Sequence, residues 1–144
     1  MKKTDQLKHR ICISKIKRST IKPYNLFQFT KFYEDNLSFF DVYPGISVQL
    51  NKEELLICST IIDSDNYSIL TTQKLITSEN GVLESGTIIY AKNRSYGNFK
   101  EYGNEKLTFG NIILENGKIV KYFIETGKAS MIMINGIKTL IQIT

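Results

Sequence analysis

From Ile46 onward the chain is a succession of short apolar runs, each ended by residues with recognisable turn chemistry, and this punctuation limits the fold more than any other feature. Residues 55–62 read as a strand, Asp63-Ser64-Asp65-Asn66 as a turn, and residues 67–72 as the returning strand. Residues 75–78 run on to Asn80-Gly81. An Asn-Gly pair accepts positive φ at both central positions of a tight hairpin, so the chain from Val82 is expected to fold back. The signal recurs at Asn116-Gly117, between residues 106–114 and 119–125. In the second of these runs Val120, Tyr122 and Ile124 alternate with Lys121, Phe123 and Glu125, as in a sheet with one face more buried. The 21 isoleucines, eight Phe and eight Tyr suit strands better than a helical bundle.

After Glu125 the period changes. Met131, Ile134, Ile137, Leu140 and Ile141 recur at steps of three and four, which predicts an amphipathic helix over residues 128–143 with Thr126 as its cap. Gly136 weakens such a helix by about 1 kcal/mol relative to alanine, so close packing against the sheet is the expected reason for it. Before the hairpins, the apolar residues of 24–40 also fall at three- and four-residue steps, predicting a helix with Asn25 as cap, closed by the turn Tyr43-Pro44-Gly45. The apolar positions of residues 1–22 fit neither a helical stripe nor strict alternation. The expected organisation is a basic arm (1–22), an aromatic helix and linker (23–45), and an α+β body (46–144) of antiparallel strands closed by a helix, all within the size of one domain.

Charge is unevenly placed. Residues 1–22 carry eight bases (Lys2, Lys3, Lys8, Arg10, Lys15, Lys17, Arg18 and Lys22) against Asp5, a balance of +7, whereas the other residues carry eleven bases against thirteen acids, or −2. The arm is therefore a candidate for attachment to nucleic acid or an anionic membrane surface, with Lys8, Arg10, Lys15, Lys17, Arg18 and Lys22 as its contacts. The other expectation for it is a solvated terminus, or one packed on the body through its isoleucines. Bases interrupt every apolar run near the amino terminus, so no secretory signal is read and a cytoplasmic location is expected. No run approaches the roughly 20 apolar residues of a transmembrane helix.

The segment from Tyr67 to Thr77 (Tyr-Ser-Ile-Leu-Thr-Thr-Gln-Lys-Leu-Ile-Thr) resembles the strand-Leu-Thr-x-x-Arg/Lys-Leu-Ile segment of small bacterial pleckstrin-homology-like (PH-like) domains. The junction Glu125-Thr126-Gly127-Lys128 resembles their strand-to-helix step. The resemblance covers roughly residues 50–144 and implies an antiparallel PH-like β-barrel or half-barrel closed by the carboxy-terminal helix. It carries no function by itself. Lipid-binding relatives of such domains cluster bases at the first hairpin loop; here Asp63 and Asp65 occupy that turn and would repel a phosphate.

No motif states a reaction. The chain has one histidine, His9, and two distant cysteines, Cys12 and Cys58, expected to be reduced and partly buried, so neither a zinc site nor any cofactor is expected. A Cys-His pair would require the arm to bring His9 to Cys58, and the acids Glu53, Glu54, Asp63 and Asp65 read as solvated. The expectation is a noncatalytic binding or scaffold module for a protein partner, a second copy of the chain included. Its contacts would be an open sheet edge or the stretch from Lys92 to Gly103, where Lys92, Arg94 and Lys100 are interleaved with Tyr96, Phe99 and Tyr102. That mixture also suits single-stranded nucleic acid, while rings folded over one end of the core are the plain structural alternative.

Overall fold

In a computed structural model, which describes residues 3–20, 22, 27–97, 99 and 105–144, two antiparallel sheets carry the core. The elements are α1 (Asp5–Ser19), β1 (Thr30–Phe32), α2 (Asn36–Val42), β2 (Leu56–Asp63), β3 (Asn66–Thr71), β4 (Lys74–Glu79), β5 (Val82–Thr87), β6 (Lys92–Ser95), β7 (Leu107–Ile113), β8 (Ile119–Glu125) and α3 (Ser130–Ile143), the last preceded by a 3₁₀ turn (Gly127–Ala129). The first sheet runs β1-β2-β3-β4-β5 and the second β6-β7-β8. The α+β class and the three hairpins β2–β3, β4–β5 and β7–β8 are as expected, but the β7–β8 turn is not the two-residue kind: only Gly117 has positive φ (87°), Asn116 does not, and Gly117 N donates to the Leu114 carbonyl (2.9 Å) in a wider loop.

The sheets do not close into a barrel, which corrects the barrel expectation. The reason lies at the edge of β8. Instead of pairing with a strand of the first sheet, β8 lies across its face: Phe123 N donates to Ser68 Oγ (2.8 Å), and Thr77 Oγ1 donates to the Lys121 carbonyl (2.7 Å). Thr30, Thr60, Ser68 and Thr77 are register partners in series across β1 to β4, all buried, and form a polar line on the inner face. Side-chain hydroxyls thus satisfy β8 backbone groups that a barrel would satisfy with another strand. On the amide groups of Gln28 and Phe29, just before β1, the Glu125 carboxylate does the same at 2.9 and 2.8 Å.

The basic arm is a helix built into the core. Thr4 caps α1 by accepting from Leu7 N (3.1 Å), and His9, Cys12, Ile13 and Ile16 are buried at three- and four-residue steps. The stripe is invisible if only aliphatic residues are counted, because His9 and Cys12 belong to it. Residues 24–40 are not one helix: the described part holds β1 and the short α2, capped by Asp35 through Ser38 N (2.9 Å), while Asn25 lies outside the described residues. The three- and four-residue steps arise because Tyr33 and Phe39, from separate elements, enter one cluster on the outer face of the first sheet, their rings edge to face at 5.4 Å.

The α3 helix is wedged between α1 and the first sheet, with Ile132, Met133, Ile137 and Leu140 in the main core. The expected close approach at Gly136 is present: a Cβ there would stand 2.9 Å from Cys58 Sγ and 3.4 Å from the Ile16 side chain. Thr126 does not cap α3; its hydroxyl donates to the Glu105 carbonyl (2.5 Å), and α3 has no side-chain cap. Phe123 is also buried, despite its alternating position, because its ring packs on Phe109 at 4.8 Å.

Tyr122 is fully buried, and its hydroxyl has no hydrogen-bond partner among the described residues. A buried tyrosine that loses a hydrogen bond on truncation to phenylalanine loses about 1 kcal/mol, whereas one with an unsatisfied hydroxyl loses nothing or gains. Tyr122→Phe is accordingly expected to melt at or above the wild-type temperature. A clearly lower melting temperature would reveal a partner for the hydroxyl.

Candidate interaction surface

β5 is the strand whose environment is least like that of a core strand. It ends the first sheet, and five of its six residues are exposed. Val82 is 66% and Leu83 62% exposed, and Tyr90, in the link to β6, is 70% exposed with a positive φ of 62°. Among the described residues, five of the seven large exposed apolar side chains (Val82, Leu83, Ile89, Tyr90 and Ile119) belong to β5, its link to β6, or the first position of β8. That concentration separates this edge from the scattered apolar residues normal on any surface.

The hydrogen-bond phase of β5 follows from its turn. Asn80 and Gly81 have φ of 52° and 83°, the type I′ geometry that makes the flanking Glu79 and Val82 a hydrogen-bonded pair. Alternation along the ladder then makes Thr77 with Glu84, and Leu75 with Gly86, hydrogen-bonded pairs too. At the far end Ile88 N donates to Gln73 O (3.2 Å), in the same phase. Leu83, Ser85 and Thr87 therefore point their N–H and C=O groups away from β4, in the direction where no strand of the sheet follows.

The two faces of β5 also differ. Val82, Glu84 and Gly86 share the inner face with Glu79, Thr77 and Leu75. Gly86 is pressed against the Leu114 side chain, leaving no room for a Cβ. Beside it, an open groove is lined by residues that include Ser85, Thr87, Leu114, Glu115 and Lys118. By contrast β1 has its approach held by Glu125, and β8 by Ser68 and Thr77. As an edge, β5 has neither proline nor lysine among its residues, and Glu84 is its one charge.

The bases named from the sequence lie elsewhere. Arg10, Lys15, Lys17, Arg18 and Lys22 are exposed and Lys8 is half-buried. On the α1 circumference Arg10 and Lys17 flank the buried stripe on one side, Lys8 and Lys15 on the other, and Arg18 opposes it, so they spread over roughly half of the circumference. Lys17 pairs with Glu34 (2.6 Å) and stands 5.9 Å from the centre of the Phe32 ring. In the second candidate stretch, Lys92 is exposed on β6, which also contains Arg94. Tyr96 and Phe99 are half-buried against the main core, their rings edge to face at 6.2 Å. Phe99 O accepts from Gly127 N (2.7 Å), tying this stretch to the start of the 3₁₀ turn. Lys100 and Tyr102 lie outside the described residues.

Of the groups considered for catalysis, His9, Cys58 and Glu54 are engaged structurally, while Glu53, Asp63 and Asp65 are exposed. Although the arm does fold onto the body, His9 Nε2 donates to the Tyr33 carbonyl (2.8 Å), and Cys58 Sγ, fully buried, faces the Ile132 carbonyl at 3.9 Å. Burial pushes the Cys58 thiol well above its ordinary pKa, and neighbouring Cys12 adds to this, which is opposite to what a nucleophile needs. Glu54 is not solvated as expected: it is 1% exposed and accepts from Asn51 N (2.9 Å), Lys74 Nζ (3.2 Å) and Thr71 Oγ1. Thr71 Oγ1 in turn accepts from Gln73 N and Lys74 N at 3.1 and 3.0 Å. Glu54 therefore locks the β3–β4 turn, at the Thr and Lys positions of the family-like segment. Among the described residues no three His, Cys, Asp or Glu side chains gather as metal ligands, and no helix is long and apolar enough to cross a membrane.

The sequence implies an open sheet edge without pointing to the β5 residues. The available signal was the run Val82 to Thr87, which has apolar side chains at both an even and an odd position and then only Glu84 and small residues, so no face of it is written as buried. Comparison with family models, curated proteins and solved structures finds no match.

Proposed function

We propose that this chain is a noncatalytic protein-recognition module of PH-like arrangement that binds extended segments by strand addition to β5. The PH-like part is supported by the order β2–β5, β6–β8, α3 and by the Thr71 to Lys74 turn. The observation that carries the function is the outward-facing backbone of Leu83, Ser85 and Thr87 on a strand with exposed Val82 and Leu83. Backbone hydrogen bonds to such an edge supply affinity, and alternate side chains of the added segment, one set entering the groove beside Leu114 and Lys118, supply selectivity. Polyanion attachment through α1 has less to rest on, because its bases are dispersed around a helix whose inner side is core.

Ser85→Pro tests the reading. The Ser85 N–H faces outward, so proline there removes a donor from the open edge while sparing the β4 ladder. Peptides selected by display on the wild-type protein are expected to slow amide exchange at Leu83, Ser85 and Thr87, and to bind Ser85→Pro at least about tenfold more weakly. Selected peptides that protect other amides, or that bind both proteins equally, would remove β5 as the recognition edge.

A further inference from the structure

The strand that best fits β5 is a second β5, and we propose that the chain forms a two-fold symmetric dimer in which the β5 strands pair antiparallel about Ser85. This names the occupant of the edge and rests on the strand-addition reading. Two registers nearest the strand centre keep inner faces aligned, one centred on Glu84 and one on Ser85, because residues opposite each other must share a face. Centring on Glu84 sets that carboxylate against its own copy, a like-charge pair directly opposed. Centring on Ser85 sets Ser85 against Ser85, Leu83 against Thr87, and Glu84 against Gly86 of the second copy.

Three observations favour the Ser85 register. The outward backbone groups of Leu83, Ser85 and Thr87 meet their counterparts, so every outward donor and acceptor of β5 is used. A bulky Leu83 meets the smaller Thr87, and Glu84 meets a residue with no side chain. Lys118 lines the groove beside Gly86 together with Glu115, and the Ser85 register brings Glu84 of each copy towards Lys118 of the other, twice by symmetry. No ion pair joins Glu84 or Lys118 to any other described residue. The dimer joins the two first sheets into one continuous sheet and covers the exposed Val82 and Leu83 edge.

The test is sedimentation equilibrium of the full chain over about 1–100 μM, with charge-swap variants. Wild type is expected to dimerise. Glu84→Lys and Lys118→Glu are each expected to weaken the dimer by about tenfold or more, and the double variant to recover most of that loss. Ser85→Pro should be monomeric with unchanged circular dichroism. A wild type that stays monomeric throughout overturns the dimer, as does a dimer insensitive to Ser85→Pro. Failure of the double variant to recover overturns the Ser85 register. Amide protection at Leu83, Ser85 and Thr87 by peptides bound to a monomeric wild type would leave strand addition standing and sink only the self-pairing.

Discussion

Stability is expected to fall steeply as pH rises from about 9 towards 12, with ionisation of the buried thiols as the cause. Cys12 is pushed up to about 12, chiefly by burial and against the opposing charge of Lys8, and burial also raises Cys58 well above its ordinary value. In the unfolded chain both thiols ionise near 8.5. A folded-state pKa above the unfolded one gives a contribution that is complete below the unfolded value and is lost as pH climbs to the folded value. For Cys12 alone the loss by pH 12 is on the order of 4 kcal/mol, a large part of the stability of an ordinary domain. Tyr33 and Tyr122, both raised by burial, steepen the fall above pH 10. Urea midpoints followed by circular dichroism should drop progressively above pH 9, with a shallower slope between 9 and 10 for Cys12→Ala. A flat profile over pH 9–11 would contradict the buried, protonated state of these thiols. The same state predicts that thiol reagents at pH 8 modify the native protein only at the rate of its opening, so neither cysteine behaves as a nucleophile.

The second large effect is expected at Gly136, where the sign of a substitution should depend on a residue 78 positions earlier in the chain, Cys58. In an isolated helix Gly136→Ala would stabilise by about 1 kcal/mol. Here the new methyl would stand 2.9 Å from Cys58 Sγ and 3.3 Å from the Leu70 side chain, and the Cys58 side chain is short and fully enclosed. Overpacking of that kind costs about 1–3 kcal/mol, so Gly136→Ala is expected to be destabilising overall. Removing the sulfur makes room for the methyl: in a Cys58→Ala background the same substitution should be neutral or stabilising. The coupling in the double-mutant cycle is then about 2 kcal/mol in the restoring direction. Additive effects of the two substitutions would show that α3 does not approach β2 as closely as Gly136 permits.

Both effects concern how α1 and α3 sit on the first sheet, and this is also what turns the amino-terminal arm from a flexible attachment into structure. Removing residues 1–22 would strip Cys12, Ile13 and Ile16 from the main core, so such a truncation reports on folding before it reports on binding. The bases of α1 have to be tested by single substitutions on an intact helix. The described rings of the second candidate stretch, Tyr96 and Phe99, are likewise half-committed to the core, which leaves less of them to offer a partner than their sequence spacing implies.

The local elements were written in the sequence. Asn80-Gly81 defines one hairpin through positive φ at both residues and Gly117 another through its own positive φ, chemistry confined to a few residues, and the change of period after Glu125 defines α3. What depended on residues far apart in the chain was decided only by tertiary structure. His9 and Cys12 count as core because α3 and the Tyr33 carbonyl arrive beside them, and Glu54 is buried because Thr71 and Lys74 close over it. The ring spacing of residues 24–40 suggested one helix because Tyr33 and Phe39 meet in space from two separate elements. The β5 edge stays open because no strand of the second sheet pairs with Leu83, Ser85 and Thr87; β8 instead meets Ser68 and Thr77 across the inner face. Turn and helix signals act through bonds between near neighbours and are legible in order; which edge is covered is set by contacts between distant segments, to which local propensity is blind.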